Sequence, residues 1–157
     1  MRARLERVTP LEAYKELKEP GVAGVDPPTF LVDVRTQEAR EREGAIEGAV
    51  VVERGILEWC FDPRSERRLP IVDRYDLRVI LFSDDGDVSR WVCRSARLER
   101  HLMILPMSSL AAYSLHQLGL LNATDIVGGF RGWNEAGLPT EVPGHYPSKE
   151  VCQGASR

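Results

Sequence analysis

The chain has 157 residues, 43% hydrophobic and 29% charged, enough for one domain with its own core and too few for two of ordinary size. A formal charge of −3 gives no general basic field, which argues against nucleic acid as a partner and leaves small molecules or proteins. Three widely spaced cysteines, Cys60, Cys93 and Cys152, with no CxxC pair and no histidine at zinc-ligand spacing, argue against a disulfide framework and against a bound metal or other cofactor.

The N-terminal arginines are followed by no apolar stretch, and no apolar run approaches the ~20 residues of a membrane helix. A cytoplasmic protein without a membrane span is expected. Thr9, Pro10 and Glu12 read as an N-cap, a first helical residue and the third position of a capping box, opening a helix that runs to about Leu17. The proline-rich stretch from Glu19 to Thr29 is a loop. The run TFLVDVR from Thr29 to Arg35 is apolar until its charged end, the pattern of a buried parallel strand with polar groups at its carboxyl end.

Thr36 to Glu43 suits a surface helix, Gly44 to Val52 a turn and a second strand, and Ile56 to Trp59 a short helix beside a buried Cys60. Arg78 to Phe82, RVILF, is the most apolar strand of the chain and leads into the turn residues Ser83, Asp84, Asp85 and Gly86. Ser108 and Ser109 read as N-cap serines of a helix that ends at Gly119. Thr124 to Val127 is a further strand, Gly128 and Gly129 a tight turn, and Phe130 to Ala136 a last short helix with Phe130 and Trp133 in the core. From Pro143 the chain is polar and aperiodic, so residues 143–157 are expected to be a disordered tail to a single domain over residues 1–142.

Strands alternating with helices predict an α/β fold, a central parallel sheet with helices on both faces and right-handed crossovers. Ligands of such folds bind beyond the carboxyl ends of the strands, which puts Asp33, Arg35 and the turn from Ser83 to Gly86 on the functional edge.

Two segments resemble the signatures of rhodanese domains. LVDVR over Leu31 to Arg35, Glu38 and GAIEGA over Gly44 to Ala49 are similar to L-[VI]-D-V-R…E…G-H-I-x-G-A. VGGFRGW over Val127 to Trp133, with AGLP over Ala136 to Pro139, is similar to G-G-[FY]-x-x-W…G-x-P. The resemblance spans Val8 to Val142 and implies a sulfurtransferase, in which a cysteine at the end of the central strand takes a sulfane sulfur from thiosulfate or a persulfide and passes it to a thiol or cyanide. Its partners would be a small sulfur-containing anion or a thiol.

Relatives with this C-terminal sequence carry a loop of roughly C-x-E-G-Y-x-S-S running into L-A-A, so the resemblance assigns the anion-binding loop to Asp84, Asp85, Gly86, Ser108 and Ser109. The family's cysteine position is then filled by Ser83. An alcohol has no accessible anion at neutral pH and holds no persulfide. Residues 87–107 further occupy 21 positions where two are expected, and Ala45 stands where many relatives have histidine.

These departures point to a pseudoenzyme or binding module of sulfurtransferase descent. An active enzyme using Cys93 is the alternative, since the run from Cys93 to Arg97 resembles a C-R-S-G-x-R loop, although no strand precedes it. A phosphatase would need a C-x5-R loop, and neither Ser83 nor Cys93 begins one. A third reading is an interaction module, with Arg90, Arg94, Arg97 and His101 at helical spacing in the insertion offering a basic face to a protein partner. Asp33 and Arg35 are expected to tie the strand end to neighbouring loops by charge-assisted hydrogen bonds.

Overall fold

The computed structural model describes residues 7–19, 28–84 and 107–141. The expected tail at 143–157 and all of the expected insertion except Met107 lie outside those residues. The described chain runs α1 (Pro10–Lys18), β1 (Thr29–Asp33), α2 (Gln37–Glu43), β2 (Val50–Val51), a 3-10 turn (Arg54–Ile56), α3 (Leu57–Phe61), β3 (Arg78–Phe82), α4 (Met107–Gln117), β4 (Ala123–Asp125) and α5 (Gly129–Glu135). The four strands form one parallel sheet in the order β2-β1-β3-β4.

Local chemistry sets the start of α1 as the sequence predicts. The Thr9 hydroxyl accepts from the Glu12 amide at 3.3 Å while the Glu12 carboxylate accepts from the Thr9 amide at 2.8 Å, a reciprocal capping box that satisfies two otherwise orphaned donors. Thr36 caps α2 through the Ala39 amide.

The sheet is buried on both sides because its side chains alternate. Leu31, Ile80 and Phe82 face Ala13, Phe130 and Trp133 of α1 and α5. Val32, Val79 and Leu81 face Leu57, Phe61, Ala111 and Leu115 of α3 and α4. Each face closes its own apolar cluster, and both clusters include strands β1 and β3. Cys60 is buried in the second of them, as expected for a small apolar side chain.

At three places a tertiary partner moves an element's end away from the sequence reading. Val50–Val51 is the whole of β2, since Ala45 pairs instead with Glu141 in an antiparallel bridge. β4 ends at Asp125, because Ile126 and Val127 turn to meet Val8, whose carbonyl accepts from the Val127 amide at 2.9 Å. Helix α4 begins at Met107, so Ser108 and Ser109 lie inside its first turn and are not its N-caps.

Candidate functional site at the carboxyl ends of the central strands

β1 and β3 are paired in register from Thr29 with Arg78 to Asp33 with Phe82, so the residues just beyond them, Val34 to Arg35 and Ser83 to Asp84, emerge side by side. The Val34 amide continues the ladder to the Phe82 carbonyl at 3.2 Å. This shared strand end is where a parallel sheet offers a binding crevice.

Arg35 is the centre of the site's electrostatics. Its Nε donates to both Asp33 carboxylate oxygens at 3.0 and 3.1 Å, and its Nη2 to Asp33 Oδ2 at 2.7 Å and the Gly44 carbonyl at 2.8 Å. The guanidinium lies over the Phe130 ring at 4.1 Å and the Phe82 ring at 5.4 Å, so two aromatic faces support a charge already paired by hydrogen bonds. Its Nη1 reaches Asp84 at 3.4 Å and Glu43 at 3.7 Å. Arg40 adds a further bond, from its Nη1 to the Arg35 carbonyl at 2.7 Å.

Burial works against the Arg35 charge, but the hydrogen bonds and charge of Asp33, with a further contribution from Asp84, outweigh it and raise its pKa. The Asp84 carboxyl is pushed above the ordinary carboxylate range, chiefly by burial and then by Glu43, with Arg35 opposing. Through these bonds Arg35, paired with Asp33, ties the end of β1 to Gly44 and reaches Asp84 beyond β3. Glu43, at the end of α2, belongs to the same cluster and was not among the candidates; its position in a polar surface helix gave no sign that it faces the strand end.

Ser83 follows β3 directly and is buried. Its carbonyl accepts from the Phe130 amide at 2.8 Å, which fastens the end of β3 to the start of α5. Ser108 and Ser109 are buried as well, and both hydroxyls donate to a single acceptor, Asp125 Oδ2, at 2.9 and 2.7 Å. Asp125 is fully buried and also paired with Arg7, whose Nη2 donates to Oδ2 at 2.8 Å and whose Nε donates to both oxygens at 3.0 and 3.1 Å. The structure thus brings Asp33, Arg35, Ser83 and Asp84 together, and places Ser108 and Ser109 on a separate carboxylate at the end of β4. Asp85, Gly86 and Cys93 lie outside the described residues.

Among the described residues, no group of three His, Cys, Asp or Glu side chains is arranged to hold a metal ion, and no helix is long and apolar enough to cross a membrane.

A parallel four-stranded sheet with helices on both faces and a buried arginine held at the shared end of its two central strands define an α/β domain among the described residues. The chain belongs to the rhodanese-like domain family, whose model matches residues 9–136, a family related to sulfurtransferases. No curated protein matches it. Among solved structures it is 28% identical to a protein of unknown function, described as a possible tyrosine phosphatase, from Rhodopseudomonas palustris, with a TM-score of 0.64 over 87% of this chain and 85% of that one. Two others share the fold. A rhodanese-related protein from Thermoplasma volcanium is 19% identical, with a TM-score of 0.53 over 85% of this chain and 95% of that one. A thiosulfate sulfurtransferase from Pseudomonas aeruginosa is 20% identical, with a TM-score of 0.54 over 90% of this chain and 20% of that one.

Proposed function

We propose that the chain is a rhodanese-like protein of sulfurtransferase descent whose own transfer of sulfane sulfur, from thiosulfate or a persulfide to a thiol or cyanide, is absent or much reduced. The observation that carries this reading is Ser83 at the carboxyl end of β3, buried and fastened through its carbonyl to Phe130. Sulfur transfer needs a thiolate that attacks the sulfane sulfur and then holds it as a persulfide. A hydroxyl is not ionised near neutral pH and its oxygen forms no comparable intermediate.

Electrostatics point the same way. Arg35 carries the positive charge of the strand end, and Asp33, Glu43 and Asp84 already surround it. With Arg35 and the adjoining Arg40 against these three carboxylates, a dianion such as thiosulfate would meet net negative charge there while all three are ionised. Asp84, Asp85 and Gly86, with Ser108 and Ser109, are the residues proposed to stand for the family's anion loop. The role left to the domain is that of a pseudoenzyme or binding module for a protein partner in the cytoplasm.

The description of the R. palustris relative as a possible tyrosine phosphatase does not transfer. Thiol-based phosphate-ester hydrolysis needs a cysteine followed by a C-x5-R loop, and position 83 is serine while the sixth residue after Cys93 is Glu99. The test is a thiosulfate:cyanide transfer assay on the natural chain and on Cys93→Ser. No turnover above the uncatalysed rate in either is expected. Turnover in the natural chain that Cys93→Ser abolishes would overturn the proposal in favour of an enzyme using that thiol.

A further inference from the structure

The carboxylate at the end of β4 binds more donors than a strand terminus requires. Asp125 is fully buried, yet accepts from Arg7, Ser108 and Ser109, which come from the N-terminal segment and the first turn of α4. Burying a carboxylate is costly unless it is paired and hydrogen-bonded, and here every donor comes from another part of the chain. The arrangement is therefore a clasp between elements.

Its position relates it to the strand end already described. Asp125 is in register with Leu81 of β3, and the Ile126 amide donates to the Leu81 carbonyl at 2.9 Å. Ser83 is two residues beyond Leu81, and its carbonyl is held by the Phe130 amide. Neighbouring strands lie ~4.8 Å apart, so the carboxylate that grips α4 sits one strand away from the residues leading into position 83.

We propose that Asp125 is the positioning residue of the site at position 83: by gripping both serine hydroxyls while paired to Arg7, it fixes the first turn of α4 beside the carboxyl end of β3. The inference deepens the proposed function, on which it rests, by naming what holds the site's scaffold in place. The serine hydroxyls then act through their bonds to Asp125, which leaves only their backbone amides to the anion loop. α4 spans 11 residues, and a helix start fixed there lends its amide dipoles to whatever charge forms at position 83.

An introduced thiol reports that field without requiring turnover. In full-length Ser83→Cys, the extra thiolate absorbance relative to the natural chain, followed against pH, gives the dissociation constant of the new thiol alone. Burial by itself would push that thiol up, whereas a fixed helix start pulls it down. Adding Ser108→Ala and Ser109→Ala, which leaves the Arg7–Asp125 pair intact, is expected to lower the thiol's acid dissociation constant about threefold to tenfold.

Ser114→Ala is the control. Its hydroxyl bonds to Leu110 and receives Arg54 near the other end of the same helix, so it should change thermal stability while leaving the thiol constant alone. An unchanged constant in the double-serine variant, or an equal change in Ser114→Ala, would overturn the proposal. Sulfur transfer by the natural chain through Cys93 would sink the proposed function and leave these titrations untouched, so the two failures are distinguishable.

Discussion

Arg35 and Asp33, two positions apart in sequence, are joined side chain to side chain by three hydrogen bonds of 2.7 to 3.1 Å while both side chains are 1% exposed. The pair forms because β1 ends between them: Asp33 is the last residue of the strand, and the Arg35 guanidinium lies over the Phe130 and Phe82 rings. A fully desolvated ion pair contributes little net stability against an apolar replacement, but breaking it leaves one charge stranded.

Arg35→Ala is therefore expected to destabilise the chain by about 3–5 kcal/mol, because Asp33 stays buried without its cation. Arg35→Lys should fall between the variant and the natural chain, since an ammonium cannot reproduce the forked contact to Asp33 and the bond to Gly44 together. Denaturant unfolding measures both. Equal stability of Arg35→Lys and the natural chain would show that the fork is not required.

Asp84 gives the strand end a pH dependence of definite sign. Its folded carboxyl is pushed up by burial and by Glu43, so the folded chain holds that proton more tightly than the unfolded chain does. The stability it contributes is fully present below the unfolded value of about 4 and is lost as pH rises through the folded value. Asp84→Asn removes this slope. Unfolding midpoints across pH should show the variant gaining on the natural chain as pH rises, by a few tenths of a kcal/mol near pH 7 for about one partly exposed charge.

Trp133 packs on the same sheet face as Phe82 and Phe130. It is fully buried, donates from its indole nitrogen to the Pro139 carbonyl at 2.9 Å and meets the edge of Tyr14 with ring centroids 5.9 Å apart. Trp133→Phe keeps much of the packing and is expected to cost about 1–2 kcal/mol for the lost donor and volume. Trp133→Ala should cost about 3–5 kcal/mol. Thermal or denaturant unfolding separates the two, and near-identical losses would show that the hydrogen bond dominates.

Gly132 is set by space. A Cβ there would stand 2.9 Å from the Val127 carbonyl oxygen, a backbone atom that cannot rotate away. Gly132→Ala is expected to lose about 1–3 kcal/mol through forced separation of α5 from the preceding turn. Since alanine otherwise favours a helix over glycine, a stabilised variant in an unfolding experiment would contradict the close approach.

Local and periodic features were legible from the residues alone. The RVILF run gave β3 with the same ends that the structure has, from Arg78 to Phe82, and Thr9 with Glu12 gave the capping box. That Asp33 and Arg35 need partners was legible, because charged residues at the end of an apolar parallel strand must be paired; that they bond to each other was not. Asp125 was missed. An acidic residue between Thr124 and Ile126 in an apolar strand carried the signal, since a buried carboxylate must be paired, but its donors lie at positions 7, 108 and 109 and only the folded chain unites them. Reading Ser108 and Ser109 as N-caps followed local propensity, whereas the hydroxyls answer a tertiary partner. Ala45 to Glu141 and Val8 to Ile126 shifted strand ends for the same reason.

Storage of sulfane sulfur turns on the atom at position 83, and intact-mass measurement of the full chain after exposure to thiosulfate reads it out. An oxygen at the end of β3 cannot store sulfane sulfur, so the mass of the natural chain is expected to stay unchanged. Gain of one sulfur atom that cyanide then removes, mapped to Cys93, would contradict the account.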